Sequence, residues 1–360
     1  EKYKNLNLNY YRCYAENIDD CVSHFNIMDK NLILMNKAFY LIIFLFFYSC
    51  EPEKEEQKSD NDVYGCMDGE AINFLNSATI NDGSCEYLGC TDSEAANFDS
   101  AATIDNGNCL EVDQIPNGYK VFWNDEFNGD SLDLRYWNIE LMPPGTVNDE
   151  LQTYTNSTEN ILLNNGSLYI RAKKDNPFDP NQPGYTSGRI NTAGKVELQY
   201  GYWEIRAKLP RGTGTWPAIW MLNSEIFTVG WPYCGEIDIM EHVGYDPDRV
   251  FFSIHNTNSY GNVGGTDQQG TYYLSGIEND FHTYAIEWGP TYIYGYIDGV
   301  QYFNYNKPAG SDYDDWPYDN PFFLIINLAI GGEWGGQQGV DNSIFPASFI
   351  VDYVRMFTKI

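Results

Sequence analysis

The residues best placed to do chemistry lie in the run Gly235-Glu236-Ile237-Asp238-Ile239-Met240-Glu241-His242-Val243-Gly244. Three carboxylates fall within six residues of an otherwise apolar stretch. In a regular strand Glu236, Asp238 and Met240 share one face and Glu241 points away. A β-bulge near Met240 inserts one residue and returns Glu241 to the face of Glu236 and Asp238. The Cα atoms of Glu236 and Glu241 then stand about 13 Å apart, four strand steps at roughly 3.3 Å each. Side chains leaning inward close much of that gap. Carboxyl groups about 5–5.5 Å apart are what cleavage of a glycosidic bond with retained configuration requires.

An acidic strand facing solvent is the plain alternative. Ile237, Ile239, Val243 and the flanking Trp231 argue against it, because they make the strand core-like. Like charges on one face also repel and are seldom kept there without a use. A zinc site is a weaker rival, since three carboxylates with a single adjacent His lack the usual ligand set. The three carboxylates are expected to titrate as one coupled set.

The elements that position this run read as strands. From about Gln114 to Ile360 no 3.6-residue apolar period is sustained; short alternating runs dominate. Leu168–Ala172, Tyr202–Ala207, Tyr284–Trp288 and Tyr292–Ile297 are examples, and Asp298-Gly299 is a two-residue hairpin turn into Val300–Phe303. Strands so spaced over roughly 245 residues predict an all-β fold, a β-sandwich. A concave face would make a groove. Lined with Trp and Tyr, it would suit a polysaccharide, whose sugar rings have apolar faces that stack on aromatics. Trp216 and Trp220, four apart on one strand face, and Trp231 in a Trp-Pro-Tyr-Cys loop are candidate platforms, with core packing as the alternative for each.

Composition narrows the field. The 360 residues carry 21 Lys+Arg against 51 Asp+Glu, a net charge of −30, so no nucleic-acid partner is expected. At 16% aromatic the chain is not disordered as a whole.

The amino-terminal region divides into short pieces. Ala38–Tyr48 is an eleven-residue run without charge, too short to span a membrane. Preceded by Met35-Asn36-Lys37, it reads as the apolar core of a signal peptide over residues 35–50, with 1–34 an upstream extension. Ser49-Cys50 then resembles a bacterial lipoprotein signal, which implies lipidation of Cys50; an ordinary secretory signal is the alternative. Residues 51–63 form an acidic linker.

Residues 64–112 contain two copies of a 24-residue unit. Gly65-Cys66-Met67-Asp68 recurs as Gly89-Cys90-Thr91-Asp92, and Gly83-Ser84-Cys85 as Gly107-Asn108-Cys109. A unit this short cannot bury a core alone, so one disulfide per repeat is expected, Cys66–Cys85 and Cys90–Cys109. The other two connectivities remain open on sequence. The units look like Cys-Thr-Asp repeats of secreted Bacteroidetes proteins, and their expected role is a spacer. Their acidic turns are expected to be turn chemistry rather than calcium sites. Cys234 is expected to be a buried unpaired thiol.

Glu-Ile-Asp-Ile-Met-Glu, preceded by Gly230-Trp231-Pro232-Tyr233-Cys234-Gly235, resembles the active-site strand of glycoside hydrolase family 16 in its laminarinase-like form. Phe122–Phe127, Trp216–Leu222, Phe281–Tyr284, Ala329–Gly336 and Val351–Arg355 resemble further blocks of that family, so the resemblance covers nearly all of 117–360, within an expected catalytic domain of 113–360. It implies a jelly-roll, concanavalin A-like sandwich and endo-acting, retaining hydrolysis of 1,3-β-glucan. Glu236 would be the nucleophile, Glu241 the acid/base, and Asp238 the residue that hydrogen-bonds and tunes the nucleophile. Asn148, Glu150, Arg189 and His255 resemble polar groove residues, and Trp334 could close one groove end.

Glu126, Gly166 and Asp352 match positions where the family often holds one structural calcium; no cofactor is implied for catalysis. The expected partner is a β-glucan, with a monomer bound to the membrane only through its lipid. The implied location is the cell envelope, as a surface-exposed outer-membrane lipoprotein, or else secretion. Rival readings are mixed-linkage glucan or galactan cleavage, or a non-catalytic glycan-binding protein. Intact Glu236, Asp238 and Glu241 count against the last.

Overall fold

The computed structural model describes residues 62–174, 184–260 and 268–360. The upstream extension, the signal segment with Cys50, and the linker up to residue 61 lie outside the described residues.

Two eight-stranded antiparallel sheets form the large domain. The first runs Gln268–Tyr273, Arg249–His255, Glu236–Glu241, Thr215–Asn223, Phe322–Ile330, Arg189–Asn191, Asn138–Ile139, with Glu197–Leu198 on the other end of Phe322–Ile330. The second runs Val300–Asn306, Tyr292–Ile297, His282–Gly289, Gly201–Lys208, Ala347–Lys359, Leu168–Ala172, Ile161–Leu163, with Tyr119–Asp125 beside Ala347–Lys359. This is the expected jelly-roll sandwich.

Alternation decides what each sheet buries. Gly201–Lys208 buries every second residue, and Trp203, Ile205 and Ala207 enter the core. From the first sheet come Ile219, Met221, Ile237, Phe252, Ile254, Ile326 and Leu328. Phe252 crosses the interior and stacks on Phe303 of the second sheet, with centroids 4.5 Å apart. Gly295 makes room for it, since a Cβ there would lie 2.4 Å from the Phe252 ring. Phe322–Ile330 is buried at all nine positions, which is why its sequence shows no alternation.

The repeats fold as predicted, with Cys66–Cys85 and Cys90–Cys109 bonded. Equivalent contacts recur: Thr79 N donates to Val63 O and Thr103 N to Tyr87 O. The second repeat also touches the sandwich. Asn128 Nδ2 donates to Gly107 O at 2.7 Å, Asn124 Nδ2 to Asn108 O at 2.9 Å, and Glu126 N to Asn108 Oδ1 at 3.0 Å. Val63–Ile360, repeats included, is one compact unit.

Candidate active site

Cross-strand register places the three carboxylates on one face. Glu236 pairs with Leu222, Asp238 with Trp220, Met240 with Ile219 and Glu241 with Ala218. Ile239 has no partner in this series, so the ladder slips there, and it slips again toward Arg249–His255 between Asp238 and Glu241. This is the bulge that the spacing predicts. Ile239 and Met240 both point into the core, fully buried, and Glu241 returns to the groove. The solvent-facing alternative is excluded, because Asp238 is 3% exposed and its neighbours are core residues.

The same register writes the groove floor. Phe251, Ser253 and His255 lie beside Glu241, Asp238 and Glu236; Asn327 pairs with both Ala218 and Arg189. His255 Nε2 stands 3.0 Å from Asp238 Oδ2 and 3.9 Å from Glu236 Oε1. Trp216 Nε1 donates to Glu241 Oε1 at 3.1 Å. Trp334 meets Trp216 and Phe251 edge-to-face, with centroids 5.5 and 4.9 Å apart. At the opposite end Trp231, 47% exposed, lies against His255 and Tyr260. The carboxylate row therefore runs between two aromatic ends, one at Trp216 and Trp334, the other at Trp231.

Trp220 belongs to the floor and is held from two sides. Its Nε1 donates to Asn327 Oδ1 at 2.7 Å, and the Arg189 guanidinium lies 4.8 Å over its ring. Arg189 is paired with Glu140 at 2.9 Å. Glu150 is buried and accepts from Gln152 at 2.7 Å and from the Tyr154 hydroxyl at 3.0 Å. Asn148 contributes through its backbone oxygen, which accepts from Glu333 N at 2.8 Å. Gly332 allows that approach, because a Cβ there would lie 2.8 Å from Asn148 O.

Sequence reasoning missed Asn327, Ser253, Phe251, Tyr154 and Tyr260. A signal existed for two of them. Ser253 and Asn327 each interrupt a buried apolar run with a polar side chain.

Burial raises all three carboxyl groups, each to about 8. The charge of Asp238 adds to the rise at Glu236 and at Glu241. A hydrogen bond with Glu236 works the other way at Asp238. His255 and Arg189 oppose the rise at Glu236; His255 and the Trp216 N–H oppose it at Glu241. Cys234 is free and buried as expected, and burial, with Glu236 nearby, pushes its thiol up to about 12. It is thus a protonated packing group at neutral pH.

The expected calcium residues gather on the second sheet, not the groove sheet. Arg355 binds Glu126 through both carboxylate oxygens, at 2.9 and 2.8 Å, and Arg206 pairs with Asp352. Gly166 lies against Asn128, whose Oδ1 is 2.9 Å from where a Cβ would sit. Ser167 Oγ is 3.5 Å from Asp352 Oδ1.

The sequence pattern of glycosyl hydrolases family 16 matches residues 148–354. A beta-glucanase of Rhodothermus marinus is 43% identical over 253 residues, covering 68% of this chain and 87% of that protein. The laminarinase from Flavobacterium sp. UMI-01 is 46% identical, with a TM-score of 0.61 over 66% of this chain and 100% of its own. A non-specific endo-beta-1,3(4)-glucanase, co-crystallized with 1,3-beta-D-cellotriosyl-glucose, is 40% identical. Its TM-score is 0.63, over 68% of this chain and 96% of its own. The matched stretch holds the carboxylate row and both aromatic ends of the groove, and the chain belongs to the glycosyl hydrolases of family 16.

Proposed function

We propose that the chain is an endo-acting, retaining 1,3-β-glucanase of laminarinase type. The observation that carries the reading is the bulged strand, which sets Glu236, Asp238 and Glu241 on one groove face between aromatic ends. Glu241, pushed up by burial and by Asp238, holds a proton at neutral pH and gives it to the leaving glycosidic oxygen. The three carboxyl groups share their protons as one coupled set; in the reactive form Glu241 carries the proton, and Glu236, whose ionised form His255 and Arg189 favour, attacks the anomeric carbon and forms a glycosyl-enzyme. Glu241 then takes a proton from water, which releases the sugar with retained configuration. Asp238, between the two, belongs to the same set, and its ionised form favours the proton on Glu241. Trp231 stacks a sugar at one end of the row, Trp216 and Trp334 at the other.

A reducing-sugar assay on laminarin, lichenan and agarose tests the substrate. Laminarin is expected to be cleaved fastest, with internal cuts giving oligosaccharides early. Preference for lichenan or agarose would replace the reading with another specificity of the family. No cleavage of any of them by folded protein would leave a glycan-binding role.

The reading extends to an envelope lipoprotein, supported by the Ser49-Cys50 signal and the acidic linker after it. Fatty-acid labelling of the expressed protein is expected to disappear in Cys50→Ser; labelling that persists would discard the anchor.

One structural calcium beside Glu126, Gly166 and Asp352 is a further part of the proposal. The support is the meeting of three segments rich in oxygen. Both carboxylates are engaged by guanidinium groups, so the ion would draw on Asn128 and backbone carbonyl oxygens, hard donors suited to it. Such an ion would act on stability alone. A bound ligand at 100 times its Kd stabilises by about 2.7 kcal/mol. EDTA is therefore expected to lower the Tm, calcium to restore it, and Asn128→Ala to abolish the response. Absence of a response, or its persistence in Asn128→Ala, would remove the site.

A further inference from the structure

His242 follows Glu241 directly, yet the two side chains go to opposite sides of the sheet. Glu241 is half-buried in the groove, where Trp216 reaches it; His242 is fully buried in the interior. Its ring is held at both nitrogens. Nδ1 lies 2.7 Å from the Arg249 carbonyl oxygen and Nε2 lies 3.1 Å from Glu278 Oε1. The Arg249 carbonyl can only accept, so Nδ1 carries an N–H toward it, while Nε2 faces the Glu278 carboxyl. Glu278 is itself 8% exposed, with Arg211 4.0 Å away on its other oxygen. The Arg249 side chain turns to Asp246 at 3.2 Å and leaves only its carbonyl to the ring.

The place of this contact matters more than its strength. Pairing with Arg249–His255 is lost through the bulge, resumes at Glu241↔Phe251, and goes no further. A regular ladder would next join residue 243 to residue 249. Instead the His242 ring reaches the carbonyl of Arg249, the first residue of that strand. On the other side His242 N bonds Pro217 O at 3.3 Å. Toward Arg249–His255 the Glu241 backbone is thus fixed beyond the bulge by one registered pair and by a side chain standing in for the missing ladder bond, while Ala218 and Pro217 pair with it on the other side.

We infer that His242 is a positioning residue for Glu241: its Nδ1–H bond to Arg249, with Glu278 orienting the ring, holds the bulged strand so that the Glu241 carboxyl meets the glycosidic oxygen. The inference rests on the reading of Glu241 as acid/base. Its effect is on the proton-transfer group and not on glucan binding.

The test uses the pattern of defects. His242→Ala is expected to lower kcat on laminarin by about 10- to 100-fold, the scale of a 1 Å misplacement, with KM nearly unchanged. His242→Asn keeps an N–H where Nδ1 was and should recover most of the loss. His242→Gln, whose amide takes the place of Nε2, should not. The second substrate is 2,4-dinitrophenyl β-laminaribioside, whose leaving group needs no acid. On it the first step of His242→Ala should approach the parent rate, and azide should accelerate turnover by replacing the water that Glu241 deprotonates. Equal losses on both substrates without an azide response, or recovery by Gln as well as Asn, would overturn the inference. Glu241→Ala on the same pair separates the premises. If azide rescues it but not His242→Ala, only the positioning role falls; if azide fails with Glu241→Ala, the acid/base reading falls and the inference with it.

Discussion

Glu236→Ser is expected to leave a folded protein whose laminarin hydrolysis is reduced by about 10⁴-fold or more, the scale seen when a nucleophile is removed. The reason is local. A serine hydroxyl at that position offers no carboxylate to the anomeric carbon, so the glycosyl-enzyme cannot form. The strand itself loses little, because it packs through Ile237 and Ile239, both fully buried on the other face. Removing Glu236 also takes away a buried carboxyl that Asp238 and Glu241 repel, at the loss of its hydrogen bond with Asp238. These two effects oppose each other, so the Tm should stay close to that of the parent. Turnover and Tm measured together decide the matter: near-normal turnover in a folded variant would end the assignment of Glu236.

Deletion of Met240 is expected to give the second largest effect. The remaining Glu-Ile-Asp-Ile-Glu satisfies regular alternation, so the last carboxylate still faces the groove. The ladder, however, no longer slips. Pairing of Glu241 with Ala218 and Phe251 is lost or redrawn, and the Trp216 N–H no longer meets the carboxylate as it does now. A misplacement of about 1 Å can cost roughly 100-fold in rate, and a loss of that order on laminarin is expected. Activity on mixed-linkage glucan should fall less, so the ratio of the two shifts toward lichenan. Met240 also fills the core, and losing a buried Met costs about 2–5 kcal/mol when truncated to Ala, so a lower Tm accompanies the change. Unchanged kcat/KM on laminarin would mean that the bulge does not set the position of Glu241.

Much of the site was legible because it depends on short-range rules. Alternation along one strand fixes which side chains share a face, and one surplus residue between Asp238 and Glu241 requires a bulge if both are to face the groove. The repeat period pointed to one disulfide within each 24-residue unit, and the structure has that pairing out of the three connectivities open on sequence. The all-β class followed from alternation and turn residues. None of these needs a partner distant in the chain.

Other features depend on pairing across long separations. Trp203 and Trp288 are core residues while Trp216 meets Glu241, though all three tryptophans lie in strands. The difference lies in which face each sheet turns inward. Asn327 reaches Trp220 because Phe322–Ile330 lies beside Thr215–Asn223, about a hundred residues earlier, and no local pattern encodes that neighbour. Glu126 and Asp352 were named through the family resemblance, and only folding shows that Arg355 and Arg206 lie on their carboxylates. His242 stands in the sequence only as the single His beside the carboxylates, and the register of Arg249–His255 shows which carbonyl its ring meets beyond the end of the ladder. The chemistry of the catalytic strand was thus readable from the chain alone, because neighbours one to five residues apart set it. Which groups hold that strand in place came from the packing of sheets, where register, and not proximity in the chain, selects the contacting residues.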